Sequence, residues 1–272
     1  MVRYLSEALV IKSIGFIGYG NMGSALASGL HTKSPETTVF IQEPDPVKAE
    51  SAVGECKARV NLPEKEFCEA SEIILIALKP QLLRKVLENY APYTRNKKII
   101  SIAAGTPISF FTELLSTDQV IRFMPNIAAK VGKALTALSC GDKVSQEFRG
   151  EALYLAGCAG NTVELPESSM AAFTGLCGSG IAYVFAFLHA LALGGTSEGI
   201  PYSTSLEIAL GTLEGAVGLV REGDEHPVSL LSKVISPGGT TIQGVAALEE
   251  GGFTASVMDA VGRAASRARE LE

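Results

Sequence analysis

Two stretches of this chain combine residue types whose chemistry depends on close backbone approach. Gly18, Gly20 and Gly23 are spaced G-x-G-x-x-G, with Tyr19, Asn21 and Met22 between them. They follow the apolar run Ile14–Ile17 and open the alanine- and leucine-bearing stretch Ser24–Leu30. A strand, a tight turn and a helix in that order put free N–H groups and the positive end of a helix dipole against an anion. The first glycine makes the turn, the second lets a pyrophosphate approach the backbone, and the third lets helix sit on strand. The second stretch is Ser236-Pro237-Gly238-Gly239-Thr240-Thr241. Amides around Gly238 and Gly239 and the hydroxyls of Thr240 and Thr241, at the start of a helix, can hold a small carboxylate without a basic side chain.

The elements that must position these groups are legible from apolar runs and breakers. Val39–Glu43 reads as a second strand, and Glu43 falls roughly 20 residues past the glycines, where an acid binds ribose hydroxyls and repels a 2′-phosphate. The expected cofactor is therefore NADH or NADPH, with NADH favoured. Pro46 opens a helix, and residues 57–60 read as a short strand. Ile73–Leu78 is continuously apolar, as for a central strand covered on both faces, and stops at Lys79-Pro80. A helix is expected over 81–90. Strands at 99–102 and 120–123 end at Ala103-Ala104-Gly105 and Met124-Pro125-Asn126, and outer strands are expected at 134–138 and 161–164. This alternation predicts a doubly wound parallel α/β sheet of the Rossmann type over residues 1–165. Residues 166–272 read as all helical, with two helices, 168–176 and 180–193, joined at Cys177-Gly178-Ser179. Ser203 or Thr204 is expected to cap a third, and its apolar face calls for a covering surface, most simply a second copy of the chain.

The 272 residues carry a net charge of −6 and are 47% apolar. That balance excludes the basic footprint of a nucleic-acid binder. No leader is expected at Met1–Ser13, and Ile181–Leu193, with His189 inside it, is short for a bilayer. Five scattered cysteines and three histidines (His31, His189, His226) form no metal-ligand pattern, so no metal is expected and a cytoplasmic, reducing location is.

Phe173-Thr174-Gly175-Leu176-Cys177-Gly178-Ser179-Gly180-Ile181-Ala182-Tyr183 resembles a signature of the pyrroline-5-carboxylate reductases. So do His226-Pro227, Ile235–Ile242 and Leu248–Phe253, and the strand ends Ala77-Leu78-Lys79-Pro80, Ser101–Gly105 and Arg122–Asn126. The resemblance implies NAD(P)H-dependent reduction of 1-pyrroline-5-carboxylate, a small cyclic imine, to L-proline, the last step of proline biosynthesis. It implies a homodimer through the helical domain, or a larger ring of such dimers. By resemblance, Thr241 hydrogen-bonds the substrate near its ring nitrogen, Glu167 lies on the substrate side, Ala77 to Pro80, Ala103 and Ala104 line the nicotinamide side, and Asn126 holds the nicotinamide carboxamide or the substrate. Departures from the pattern are Ile127, Ala128, Cys177, Ile181, Leu193 and Lys233. They keep open a catalytically silent nucleotide-binding homologue. A related small-hydroxy-acid dehydrogenase is the other alternative, although the lysine-bearing helix it favours is not found.

Overall fold

A computed structural model describes residues 11–271; the leader question falls on residues that lie mostly outside it. The strands are β1 (Ser13–Ile17), β2 (Thr38–Gln42), β3 (Arg59–Val60), β4 (Ile73–Ile76), β5 (Lys98–Ser101), β6 (Val120–Met124), β7 (Ala134–Cys140) and β8 (Gly160–Glu164). They form one sheet in the order β3-β2-β1-β4-β5-β6-β7-β8. Between them run α1 (Asn21–Lys33), α2 (Pro46–Cys56), α3 (Glu64–Ala70), α4 (Leu83–Leu87), α5 (Ile108–Leu115) and α6 (Gln146–Gly157). The helical part holds α7 (Met170–Phe173), α8 (Gly180–Ser197), α9 (Tyr202–Glu222), α10 (Pro227–Val234), α11 (Thr240–Glu250) and α12 (Phe253–Glu270).

The period-2 pleat explains why the central strands are apolar at every position. Ile14, Phe16, Ile73 and Leu75 join a core with Leu26, Leu30, Phe148 and Leu155 of α1 and α6. Ile17, Ile74 and Ile76 join a second core with Phe67, Leu83, Leu87 and Phe111 of α3, α4 and α5. All four residues of β4 are fully buried, and each contributes about 1.5–3 kcal/mol of transfer free energy. Because β1 runs outward to β2 and β3 while β4 begins the opposite series, the crevice between the carboxyl ends of β1 and β4 is the topological switch point.

β1 to β6 are mutually parallel, as expected. β7 instead pairs antiparallel with β6, and β8 follows β7 in parallel. Residues 125–133 are too few for the crossover of a dozen or more residues that a parallel partner needs, so the chain turns back through a short 3-10 segment, Ile127–Val131. The expected helix over 81–90 is reduced to a 3-10 turn, Pro80–Leu82, and α4. α9 starts at Tyr202 after Pro201, with no side-chain cap, rather than from Ser203 or Thr204.

The break expected at 177–179 is absent. Thr174–Gly178 winds as a π-helix, and the whole of Glu167–Ser197 is one 31-residue helix. Hydrogen bonds spanning one residue more than in an α-helix keep the chain winding through Gly175 and Gly178, a device often found at functional sites. By length and composition it is sufficient to cross a membrane, so the shortness read for Ile181–Leu193 does not hold, and only 11% of its most apolar window is buried. Phe185, Leu191, Leu193, Ile208, Val217 and Leu219 of α8 and α9 are all exposed in the single chain. The chain divides into two compact units, one up to Gly178 with the stretch from Ala264, the other Ser179–Arg263.

At the amino edge of the sheet, Lys98 sits among three carboxylates. Its Nζ lies 2.8 Å from Glu151, 3.3 Å from Glu147 and 3.6 Å from Glu72. Burial would lower the Lys98 ammonium, but the Glu151 and Glu147 carboxylates outweigh it and hold it above the ordinary lysine value. Burial pushes the Glu151 carboxyl up, and Lys98 draws it part of the way back. Lys98→Met leaves Glu151 buried without its cation. Because Lys98 is one-fifth exposed, we expect a loss of about 2 kcal/mol near neutral pH rather than the full cost of a buried pair. With its folded-state pKa raised further above the unfolded value, Glu151 takes up a proton as pH falls, so the loss shrinks toward pH 5. Urea midpoints of wild type and variant at both pH values check this.

Candidate functional site

The switch-point crevice is built by contacts that only glycine permits. Gly18 has φ +100°, and a Cβ there would lie 2.7 Å from the Ala77 carbonyl oxygen. A Cβ at Gly23 would lie 2.6 Å from the Gly18 carbonyl oxygen. Gly18 N–H donates to Gln42 O at 2.9 Å, which ties the loop to the end of β2, and Ala77 N–H donates to Ile17 O at 2.9 Å, which ties the end of β4 to the end of β1. Gly20 is different: it caps α1 with ordinary extended backbone, and a Cβ on it would meet nothing within 4 Å. The first turn of α1 carries no acid and no side-chain cap. No side chain of that turn satisfies its N–H groups and the space beside Gly20 is open, which fits the phosphates of a dinucleotide.

The other residues expected around the cofactor divide by what they expose. Tyr19 is buried; its hydroxyl donates to Glu55 at 2.8 Å and touches Cys56 Sγ, and burial raises its pKa. It offers the loop only its backbone, whose N–H donates to Glu43 Oε2 at 2.8 Å. Glu43 follows β2 and is 7% exposed, with its other oxygen accepting from Asp45 N–H at 3.1 Å. The acid is thus fixed beneath the loop at the strand end rather than set free in the Pro44–Pro46 turn. Met22 packs against the core under α1, whereas Asn21 is exposed. Ala77 and Leu78 are half-buried at the end of β4, and Lys79 and Pro80 are exposed beside them. Ala103 is buried in the second core, so of the Ala103-Ala104 pair only Ala104 is partly accessible.

Asn126 and Glu167 hold structure at the same carboxyl edge. Asn126 caps the 3-10 turn by accepting from Ala128 N–H at 3.3 Å, and its Nδ2 donates to Cys177 Sγ at 3.3 Å. Burial pushes the Cys177 thiol up while the Asn126 contact opposes it. Glu167 accepts from Ile108 N–H at the start of α5 (2.8 Å) and from the buried Arg122 (3.3 Å). That pairing, which joins β6 to the start of the long helix, is not foreseeable from spacing; the partners are 45 residues apart. Lys130, also unanticipated, donates to Asn21 Oδ1 at 3.2 Å.

In the helical unit, Gly238 has φ +67° and Gly239 caps α11, with Thr240 and Thr241 as its first two residues. A Cβ at Gly239 would meet Ser236 Oγ at 2.2 Å, so the Pro-Gly-Gly turn closes tightly before the helix. No side chain caps α11, and Thr241 is only partly exposed. Two of the three histidines are accounted for otherwise. His226 caps α10, accepting from Val228 N–H at 3.2 Å, and His189 pairs with Tyr202 at 2.9 Å. Lys233 pairs with Glu225 at 2.7 Å.

Residues 167–271 match the family described as pyrroline-5-carboxylate reductase dimerisation. Residues 13–105 match NADP oxidoreductase, coenzyme F420-dependent. A pyrroline-5-carboxylate reductase of Methanosarcina acetivorans is 39% identical, covering 96% of this chain and 98% of the relative. The crystal structure of 1-pyrroline-5-carboxylate reductase from Streptococcus pyogenes superposes with a TM-score of 0.86 at 30% identity, covering 95% and 98% of the two chains. A pyrroline carboxylate reductase of Plasmodium falciparum, solved with NADP bound, superposes at 0.84 and 28% identity over 95% and 97%. The likeness runs along nearly the whole chain, through both the sheet and the helical unit, and the chain belongs to the pyrroline-5-carboxylate reductase family.

Proposed function

We infer that this chain reduces 1-pyrroline-5-carboxylate to L-proline with a reduced nicotinamide dinucleotide. The observation that carries the reading is that the likeness to reductases of this name runs through both the glycine-bearing sheet and the helical unit. When bound, the dinucleotide would supply a hydride to the imine carbon, and a proton would end on the ring nitrogen. The chain's own groups then have three tasks. The open amides after Gly20 hold phosphate. Lys79, Pro80 and Ala104, with Asn126 beside them, shape the edge where the nicotinamide lies. The amides and hydroxyls at the start of α11 hold the substrate carboxylate, with Thr241 hydrogen-bonded at the ring nitrogen. Such chemistry depends on placement more than on a strong acid, because an imine can arrive already protonated. This accords with His226 and His189 being spent on capping and surface pairing.

The family's dimerisation domain gives the exposed faces of α8 and α9 their cover, and the dimer is the unit we propose for turnover. The five unpaired cysteines support a cytoplasmic setting. The buried Glu43 supports a preference for NADH, since an anion fixed at the end of β2 opposes a 2′-phosphate.

The direct test is parallel oxidation of NADH and NADPH with 1-pyrroline-5-carboxylate, with proline as product. Thr241→Val is expected to lower kcat/KM by about 10- to 100-fold, with little change in the KM for cofactor. Cofactor binding with no turnover in the wild type would instead return the reading to a silent homologue; oxidation of small hydroxy acids would return it to a dehydrogenase. Glu43→Ser should raise NADPH use relative to NADH, and an unaltered ratio would remove Glu43 from cofactor choice. Gly20→Ala should keep the thermal stability of the wild type and weaken dinucleotide binding by about tenfold or more, because its Cβ enters only the ligand's space. Gly18→Ala should cost about 3 kcal/mol of stability, from a left-handed φ and the clash with Ala77 O. Melting curves and cofactor titrations of the two variants separate these outcomes.

A further inference from the structure

One basic side chain reaches the start of α1 from another part of the chain. Lys130 is exposed on the 3-10 turn after β6, and its ammonium donates to Oδ1 of Asn21, the first residue of α1. No carboxylate lies within ion-pair reach of it among the described residues. A cation at the amino end of a helix opposes the dipole and is unfavourable unless an anion lies between.

The turn that carries Lys130 is held firmly. Asn126 caps it, Gly132 closes it with φ +67°, and Lys133 N–H donates to Ala128 O at 3.0 Å. Ala129 packs into the same core as Leu26 and Leu30 of α1. A cleft of about 550 Å³ opens at Asn21 and Lys130 and runs along α1 to Lys33 and Cys158, so only its outer end adjoins the first turn of α1. The fingerprint itself contains no basic residue, and the fixed Glu43 adds negative charge under the loop in a chain of net charge −6. Amides alone would thus have to receive a diphosphate in an acidic protein.

We propose that Lys130 is a cofactor-binding residue whose ammonium contacts the diphosphate of the nicotinamide dinucleotide over the first turn of α1. The inference rests on the function proposed above. Asn21 holds the ammonium through one of its three donors and leaves the others for phosphate oxygens. The charge also raises the rate of encounter with an anionic ligand at low salt.

The test is fluorescence titration of the full chain with NADH, at low and at high salt, for wild type, Lys130→Met, Lys130→Arg and Lys143→Met. Lys143 pairs with Asp118 just before β6, at the opposite edge of the sheet, and serves as a control for net charge. Lys130→Met is expected to raise the Kd by about tenfold at low salt, and less at high salt. Lys130→Arg should restore most of the affinity, and Lys143→Met should match the wild type. In turnover, the loss should appear in the KM for NADH rather than in kcat. A Lys130→Met Kd within about twofold of wild type overturns the proposal. So does a loss that is independent of salt or is shared by Lys130→Arg. A wild type that binds neither NADH nor NADPH overturns the proposed function itself, and the role of Lys130 with it.

Discussion

The contact between the glycine loop and the end of β4 sets the rest of this structure. The Ala77 carbonyl oxygen occupies the place where a side chain at residue 18 would be, and the Gly18 carbonyl occupies the place of one at residue 23. Strand, loop and helix can therefore approach one another at backbone distance. The consequence is a helix end brought directly to the crevice where strand order reverses. Any Cβ at residue 18 or 23 would push α1 away from the sheet, and the open amides would no longer converge. The cradle is thus a packing feature before it is a binding feature, and Gly20, with empty space beside it, is the one glycine of the three shaped by what is to be bound.

Around that contact, polar residues at the carboxyl edge are fixed by partners remote in sequence. Glu43 is tied to Tyr19 N–H, Asn126 spans from the 3-10 turn to Cys177, and Glu167 joins Arg122 to the start of α5. Each uses a buried or half-buried group to set a loop that would otherwise be free. The π-turn at Thr174–Gly178 belongs to the same pattern: it carries Cys177 to Asn126 without breaking the long helix. A thiol accepts the Asn126 hydrogen bond more weakly than an oxygen would. The chain combines a well-fastened sheet edge with a softer joint at this one point.

The helical unit is governed by a different constraint. α8 and α9 are rich in small and apolar residues on more faces than one chain covers, and Phe185, Ile208 and Leu219 remain exposed. Hydrophobic burial must then come from association, and the family to which the chain belongs is named for that in this region.

The sequence by itself determined the alternation of strands and helices, the glycine cradle and the helix start at Thr240. These depend on local periods and on residues whose backbone freedom is intrinsic. It also carried the family likeness, because the motifs are contiguous. Only the tertiary structure decided the reversal of β7, since direction depends on whether a short connection can cross the sheet. It alone joined the helices at 177–179, where glycines that read as a break instead support a π-turn. It turned Tyr19 and Ala103 inward, gave Glu167 to Arg122, and brought Lys130 to Asn21. Those pairings join residues up to 109 positions apart, and nothing local records which side chains a folded sheet edge will place together.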